Sequence, residues 1–354
     1  MMSSRRWASL LLAACLPLAH AQDAAPRVDA DGTIHAAAAT LPYSSLASPE
    51  ARAFFPKMLA AGSKAPPITA PIEQSRVFYD RMNSDRAARM ARRYPVKTHH
   101  DTIGGVGVDV VEPAQGISPQ NRDRVLVNLH GGAFLWGAHS GGLVEAIPIA
   151  SLGRIKVITV DYRQGPEHVF PAASEDVEAV YRELLKQYKP ADIGIYGCSA
   201  GGILTAEAVA RLIDRKLPVP GAIGTFCGSV VNMEGDSIYA AALLNSGTVP
   251  EHPLKLDALP YFKGASANDP MVFPGVSPQL LAHFPPTLLI TGTRDMAMSS
   301  EVRSQALLQQ AGVDAELHVW EGMWHSFFSD PELPESQDAY AVIVKFFDRH
   351  LGRR

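Results

Sequence analysis

The segment Gly197-Cys198-Ser199-Ala200-Gly201 stands between an apolar run over residues 192–196 and a helical pattern over residues 203–213. So short a connection leaves room only for a sharp turn from strand into helix. Glycines on both sides let the main chain make that turn and raise Ser199 on a strained elbow at the strand end. The helix N-terminus that follows favours negative charge developing beside the serine. A glycine-rich turn without chemistry has the same local appearance, so the rest of the chain decides between the two.

The rest alternates. Residues 106–111, 124–129 and 156–161 have strand texture, as do 222–227, 287–291 and 316–320. Residues 172–188 carry Val177, Val180, Tyr181 and Leu184 at intervals that share one helix face, and 300–311 and 335–351 are further helical patterns. Strands alternating with helices predict the α/β class, with a mostly parallel central sheet covered by helices over residues 96–351. Residues 231–283 interrupt the alternation with Pro, Gly and short apolar runs, which fits a helical cap insertion better than a structureless loop. Upstream, 51–61 with a break at Pro56 and 72–94 between Pro71 and Pro95 read as helices. Their apolar positions are sparse, so 51–95 is expected to rest on the domain and add to the cap. Residues 22–50, rich in Ala and Pro, read as a flexible lead-in.

Three further segments complete a reaction centre. His130-Gly131-Gly132-Ala133-Phe134 follows the apolar strand 125–129, where small residues can bring amide hydrogens close to a substrate carbonyl oxygen. Gly132 and Ala133 are the candidate donors, joined by Ala200 after the nucleophile. His130 and Gly131 hold that loop, as Gly197 and Gly201 hold the elbow. Asp295 follows the strand 287–291, and His325 follows the last strand. The order is therefore nucleophile, acid, base.

With these segments stand Asp161-Tyr162-Arg163, Pro166-Glu167-His168, Phe170-Pro171-Ala172-Ala173 and residues 322–327. Together they resemble the hormone-sensitive-lipase-like family of bacterial α/β-hydrolase esterases, over about residues 70–351. The resemblance implies an α/β-hydrolase fold and a helical cap formed partly by the N-terminal segment. It also implies cofactor-free hydrolysis of esters with small or medium acyl groups. Three positions depart from the family pattern. Ala133 replaces a third glycine, Cys198 replaces an acidic residue before the nucleophile, and Asp295-Met296-Ala297-Met298-Ser299 lacks the usual proline and second acid. Asp161-Tyr162-Arg163 reads as structural support.

Composition narrows the alternatives. The 354 residues carry a formal charge of −4, with 47% hydrophobic and 19% charged residues. A mildly acidic chain without a Lys/Arg cluster gives no footprint for nucleic acid. Residues 1–21 have the three parts of a secretory leader: Arg5-Arg6, an apolar stretch, then Ala19-His20-Ala21 before Gln22. That predicts a periplasmic or secreted enzyme; a lipoprotein anchored through Cys15, in Leu12-Ala13-Ala14-Cys15, is the competing reading. No later stretch is long and apolar enough to span a membrane. Cys198 and Cys227 remain after the leader, and buried thiols are expected. The histidines lack zinc-ligand spacing, so no metal and no cofactor is expected, and the partners are a small ester and water. Oligomeric state is open. The same triad would serve an amidase, lactonase or acyltransferase. A noncatalytic binding protein with an ancestral pocket is disfavoured because all three triad residues are present.

Overall fold

The computed structural model describes residues 27–30, 33–35, 40–253 and 255–352. The leader with Cys15 lies outside the described residues. The chain divides after Pro42. In the first part Arg27–Val28 (β1) and Ile34–His35 (β2) pair as a short antiparallel hairpin.

The second part is built on one eight-stranded sheet. Its strands are β3 (Val96–Ile103), β4 (Val106–Pro113), β5 (Val125–Leu129), β6 (Lys156–Val160), β7 (Ile193–Cys198), β8 (Ala222–Phe226), β9 (Thr287–Arg294) and β10 (Ala315–Trp324). They lie in the order β10-β9-β8-β7-β5-β6-β4-β3. The six from β5 onward run parallel, while β4 is antiparallel to β6 and β3 to β4.

Every residue of β5 and β7 is buried because helices cover both faces. Val125, Val127 and Leu129 face one core with α4 (Ala172–Leu184) and α5 (Ala200–Asp214). Leu126 faces the other, with α3 (Ser140–Gly153) and α9 (Pro334–His350). Each such aliphatic side chain stabilises the fold by roughly 1.5–3 kcal/mol. A one-residue slip would exchange the two sets, so the register is fixed. Asn128 is the buried polar exception within β5.

Four elements differ from the reading of the sequence. β3 is a strand although its sequence is VKTHHDTI, because an edge strand with one open side tolerates exposed polar residues. α3 forms from SGGLVEAIPIASLG, which is buried nearly all round and so has no amphipathic period to announce it. The first upstream helix, α1 (Pro49–Gly62), runs through Pro56 without a break; the carbonyl that Pro56 cannot serve belongs to exposed Arg52. Ordered packing also begins before residue 50: the Tyr43 hydroxyl donates to the Gly322 carbonyl at 2.7 Å, and Ala47 is buried.

The described residues of 231–283 contain α6 (Ser237–Ser246), α7 (Pro278–Leu281) and three single turns, with Tyr261, Phe262, Val272 and Phe273 buried. α6 is fastened at the end of β9. The Ser237 hydroxyl donates to Met296 O at 2.7 Å and Asn245 Nδ2 to Arg294 O at 3.0 Å. Upstream, α2 (Ile72–Arg93) packs along α3. Its Arg76 pairs with Glu167 and donates to the carbonyls of Leu135 and Gly165 at 3.0 Å. Among the described residues, no helix is long and apolar enough to cross a membrane.

Candidate active site

Ser199 sits between β7 and α5 with φ +59° and ψ −122°, a conformation that L-residues adopt only under constraint. The constraint is visible. The Ser199 amide donates to Phe226 O at 2.7 Å, and a methyl group at Gly201 would drive into the Leu129 and His130 carbonyls. Only glycine fits where α5 leans on β5.

Three loops at the same ends of β7, β9 and β10 bring the triad together. Ser199 Oγ lies 2.9 Å from His325 Nε2, and His325 Nδ1 lies 2.7 Å from Asp295 Oδ1. The carboxylate can only accept, so Nδ1 carries the proton and Nε2 of the neutral ring faces the serine hydroxyl. Asp295 is fully buried, and its remaining capacity is used by the Ala297 amide and the Thr291 hydroxyl, both at 2.9 Å. Burial alone would raise its pKa, but the His325 imidazole, with the Ala297 amide and the Cys227 thiol, outweighs it and holds the carboxyl below its ordinary value. Burial likewise opposes the charged form of His325, and Asp295 overcomes it, raising the histidine. The pair is built to stabilise an imidazolium next to an ionised carboxylate.

The loop over residues 130–134 lies beside the elbow. Gly132 has φ +125°, and any side chain there would strike the Trp136 carbonyl; Ala133 (φ +54°) and Phe134 (φ +59°) are also left-handed. The amides of Gly132 and Ala133 donate to no group among the described residues. His130 is fully buried, stacked on Tyr162 with ring centres 4.3 Å apart, and its Nδ1 lies 2.8 Å from Gly131 O. Burial lowers its pKa to about 4, so it is a neutral spacer and stands outside the proton path. The Tyr162 hydroxyl donates to His130 O at 2.7 Å, while Arg163 holds Asp176. Asp161-Tyr162-Arg163 thus braces this loop.

One residue that the sequence reading passed over joins the two halves of the site. Glu145, on α3, accepts the Gly131 amide at 2.9 Å through Oε1, and through Oε2 the Cys198 amide at 3.1 Å and Asn128 Nδ2 at 3.0 Å. Its signal was indirect: an asparagine inside the apolar β5, and a cysteine where the family carries an acid. Burial pushes the Glu145 carboxyl up to about 7. Cys198 and Cys227 are free and buried; Cys198 Sγ lies 2.9 Å from Ser326 Oγ, next to the triad histidine. Among the aromatic residues near the site, Phe134 and Trp324 are core residues, stacked on Tyr261 and Phe54 respectively. Trp136 stacks on Tyr79 of α2, and Tyr239 is exposed.

The family model of the α/β hydrolase fold matches residues 126–329. An acetyl-hydrolase of Streptomyces hygroscopicus is 28% identical over 274 residues, spanning 74% of this chain and 90% of that protein. The crystal structure of an esterase named E25 has 33% sequence identity and a TM-score of 0.78, covering 90% of this chain and 98% of its own. The crystal structure of an esterase from the bacterial hormone-sensitive lipase family has 28% identity and a TM-score of 0.74, covering 86% and 99%. The triad and these likenesses make the protein a serine-dependent carboxylic ester hydrolase. The chain belongs to the hormone-sensitive-lipase-like family of α/β-hydrolase esterases.

Proposed function

We propose that the protein hydrolyses esters of short to medium acyl chains through an acyl-enzyme on Ser199, with Gly132, Ala133 and Ala200 as oxyanion donors. The observation that carries this reading is the unbroken line from Asp295 through His325 to Ser199. Neutral His325 takes the Ser199 proton as Oγ attacks the ester carbonyl, and Asp295 steadies the imidazolium that forms. The amides of Gly132, Ala133 and Ala200 receive the tetrahedral oxyanion, the last at the head of α5. His325 then protonates the leaving alcohol. In the second half it draws a proton from water, which attacks the acyl carbonyl and releases the acid.

A small acyl group suits the likeness to an acetyl-hydrolase. Residues 231–283 and α2 form the cover of the acyl site in this reading, which the attachment of α6 beside Asp295 and of Arg76 beside the oxyanion loop supports. The leader over residues 1–21 supports export to the periplasm or beyond, with a mature chain starting at Gln22. Intact mass of protein from its native host tests that, since a diacylglyceryl group on Cys15 would overturn it.

The test of the activity is a kinetic panel of p-nitrophenyl esters from acetate to laurate, with matched anilides and lactones. The expected result is highest kcat/KM among the shorter esters and loss of turnover in Ser199→Ala. Faster anilide or lactone cleavage would move the protein to amidase or lactonase chemistry.

A further inference from the structure

A second cluster of chemical groups lies away from the triad, at the outer end of the sheet. His100 on β3 stands opposite Asp109 on β4 in the strand register. β4 continues the sheet to β6, and Asp161 follows β6, its amide bonded to Gly107 O at 3.0 Å. His139 precedes α3, and its own amide donates to Asp161 Oδ1 at 2.7 Å. Four segments remote in sequence thus place two imidazoles and two carboxylates together.

The distances are those of a set sharing one centre. Asp109 lies between the rings, Oδ1 at 3.2 Å from His100 Nδ1 and Oδ2 at 3.2 Å from His139 Nδ1. Asp161 Oδ2 is 2.8 Å from the same His139 nitrogen. One ligand atom from each of the four residues lies within 4.8 Å of all the others. A tetrahedral zinc ion with bonds of about 2.0–2.1 Å holds its ligand atoms roughly 3.3–3.4 Å apart, so the closest contacts already match and the widest must draw in by up to about 1.5 Å.

The proton count also asks for a cation. Two carboxylate oxygens converge on His139 Nδ1, and one N–H can serve only one of them. Asp161 Oδ2 is the atom left over: it is buried and makes no hydrogen bond among the described residues, despite its closeness to the ring. The side chain of Asp161 is only 11% exposed, so its negative charge is poorly served by solvent. His139 is held with φ +57° and ψ −79°, an unusual conformation that brings its ring over the carboxylates.

We propose that His100, Asp109, His139 and Asp161 bind a borderline divalent transition-metal ion, zinc in the first instance. Two imidazole nitrogens and two carboxylate oxygens are a donor set for zinc, and the two carboxylates balance its charge. Magnesium and calcium prefer all-oxygen shells and suit this set poorly. The histidine spacing in the sequence gave no sign of a metal, because the ligands meet only when β3, β4, β6 and the start of α3 are folded together. The ion is structural. His139 lies just past the oxyanion loop, and Gly137 between them passes tightly against Gly131 O and the His130 ring. Zinc therefore fastens the edge hairpin and the start of α3 to the strand end that braces that loop. The arrangement without metal is two imidazoles hydrogen-bonded to the carboxylates alone.

Calorimetric titration and thermal melting of the chelator-treated full-length mature protein with zinc chloride distinguish the two. The expected result is one zinc ion per chain, and a melting temperature raised by about 5 °C at roughly a hundredfold excess over the dissociation constant. His100→Gln on the edge strand β3 and Asp109→Asn on its neighbour β4 should each weaken zinc binding by more than about tenfold. Magnesium chloride should give no shift. Absence of stoichiometric zinc binding would overturn the proposal, as would equal binding by His100→Gln and Asp109→Asn. Loss of binding in Glu316→Gln instead would place the ion at the Asp314, Glu316 and His350 group and overturn it equally.

Discussion

Glu145 accepts the backbone amide of Cys198 at 3.1 Å, one residue before the Ser199 nucleophile. Its other oxygen holds Gly131 at the root of the oxyanion loop, so one buried carboxyl sets the spacing between nucleophile and oxyanion donors. Glutamine keeps the volume but turns an NH2 group toward one of those two amide donors. Glu145→Gln is therefore expected to lower kcat by about 10–100-fold with little change in KM, as misplacement of reacting groups does. Unchanged kcat would remove the positioning role.

The same residue leaves a mark on stability. Its folded-state pKa, pushed up to about 7, lies above the ordinary carboxylate value, so the folded protein holds this proton more tightly than the unfolded chain. Its contribution is full below the ordinary value and is lost as pH rises through about 7. The difference in melting temperature between parent and Glu145→Gln should drift against the parent across that window. A difference independent of pH would contradict the assignment.

Catalysis should follow His325 with the opposite sense. The reaction needs the neutral ring, and Asp295 raises the histidine above its ordinary value. The acid limb of kcat/KM should accordingly lie above the pKa of a free imidazole, with activity lost as pH falls through it. Asp295→Asn should shift that limb downward and reduce kcat by about 10⁴-fold, since the ring loses its orienting acceptor. Retention of the parental limb would detach Asp295 from the base.

The oxyanion loop makes a prediction with two arms. Gly132→Ala places a methyl group into the Trp136 carbonyl at a φ of +125°, and should cost about 10²–10³-fold in kcat. Ala133→Gly relieves a left-handed alanine and keeps its amide, so activity should stay within a few-fold of the parent. Circular dichroism of both variants separates a disturbed loop from a lost fold.

Much of this site was legible in the sequence because its parts are local. The elbow, the glycine loop, and the loops bearing Asp295 and His325 are short strings, each attached to the end of a recognisable strand. Periodicity exposed α4, where Val177, Val180, Tyr181 and Leu184 do line one buried face. It failed for α3, which is covered on nearly every side, and so Glu145 was missed along with the helix that carries it. It failed also for β3, whose polar residues reflect an open edge. The His100, Asp109, His139 and Asp161 group depends wholly on tertiary placement, and no spacing along the chain could have revealed it.

Nucleophilic attack by Ser199 requires a covalent acyl intermediate on its Oγ. Rapid mixing with a p-nitrophenyl ester, followed by acid quenching and intact-mass analysis with peptide mapping, observes it directly. One acyl group per chain should appear on Ser199, formed with release of one equivalent of p-nitrophenol and absent from Ser199→Ala. An acyl group on any other residue, or sustained turnover by Ser199→Ala, would contradict nucleophilic attack by Ser199.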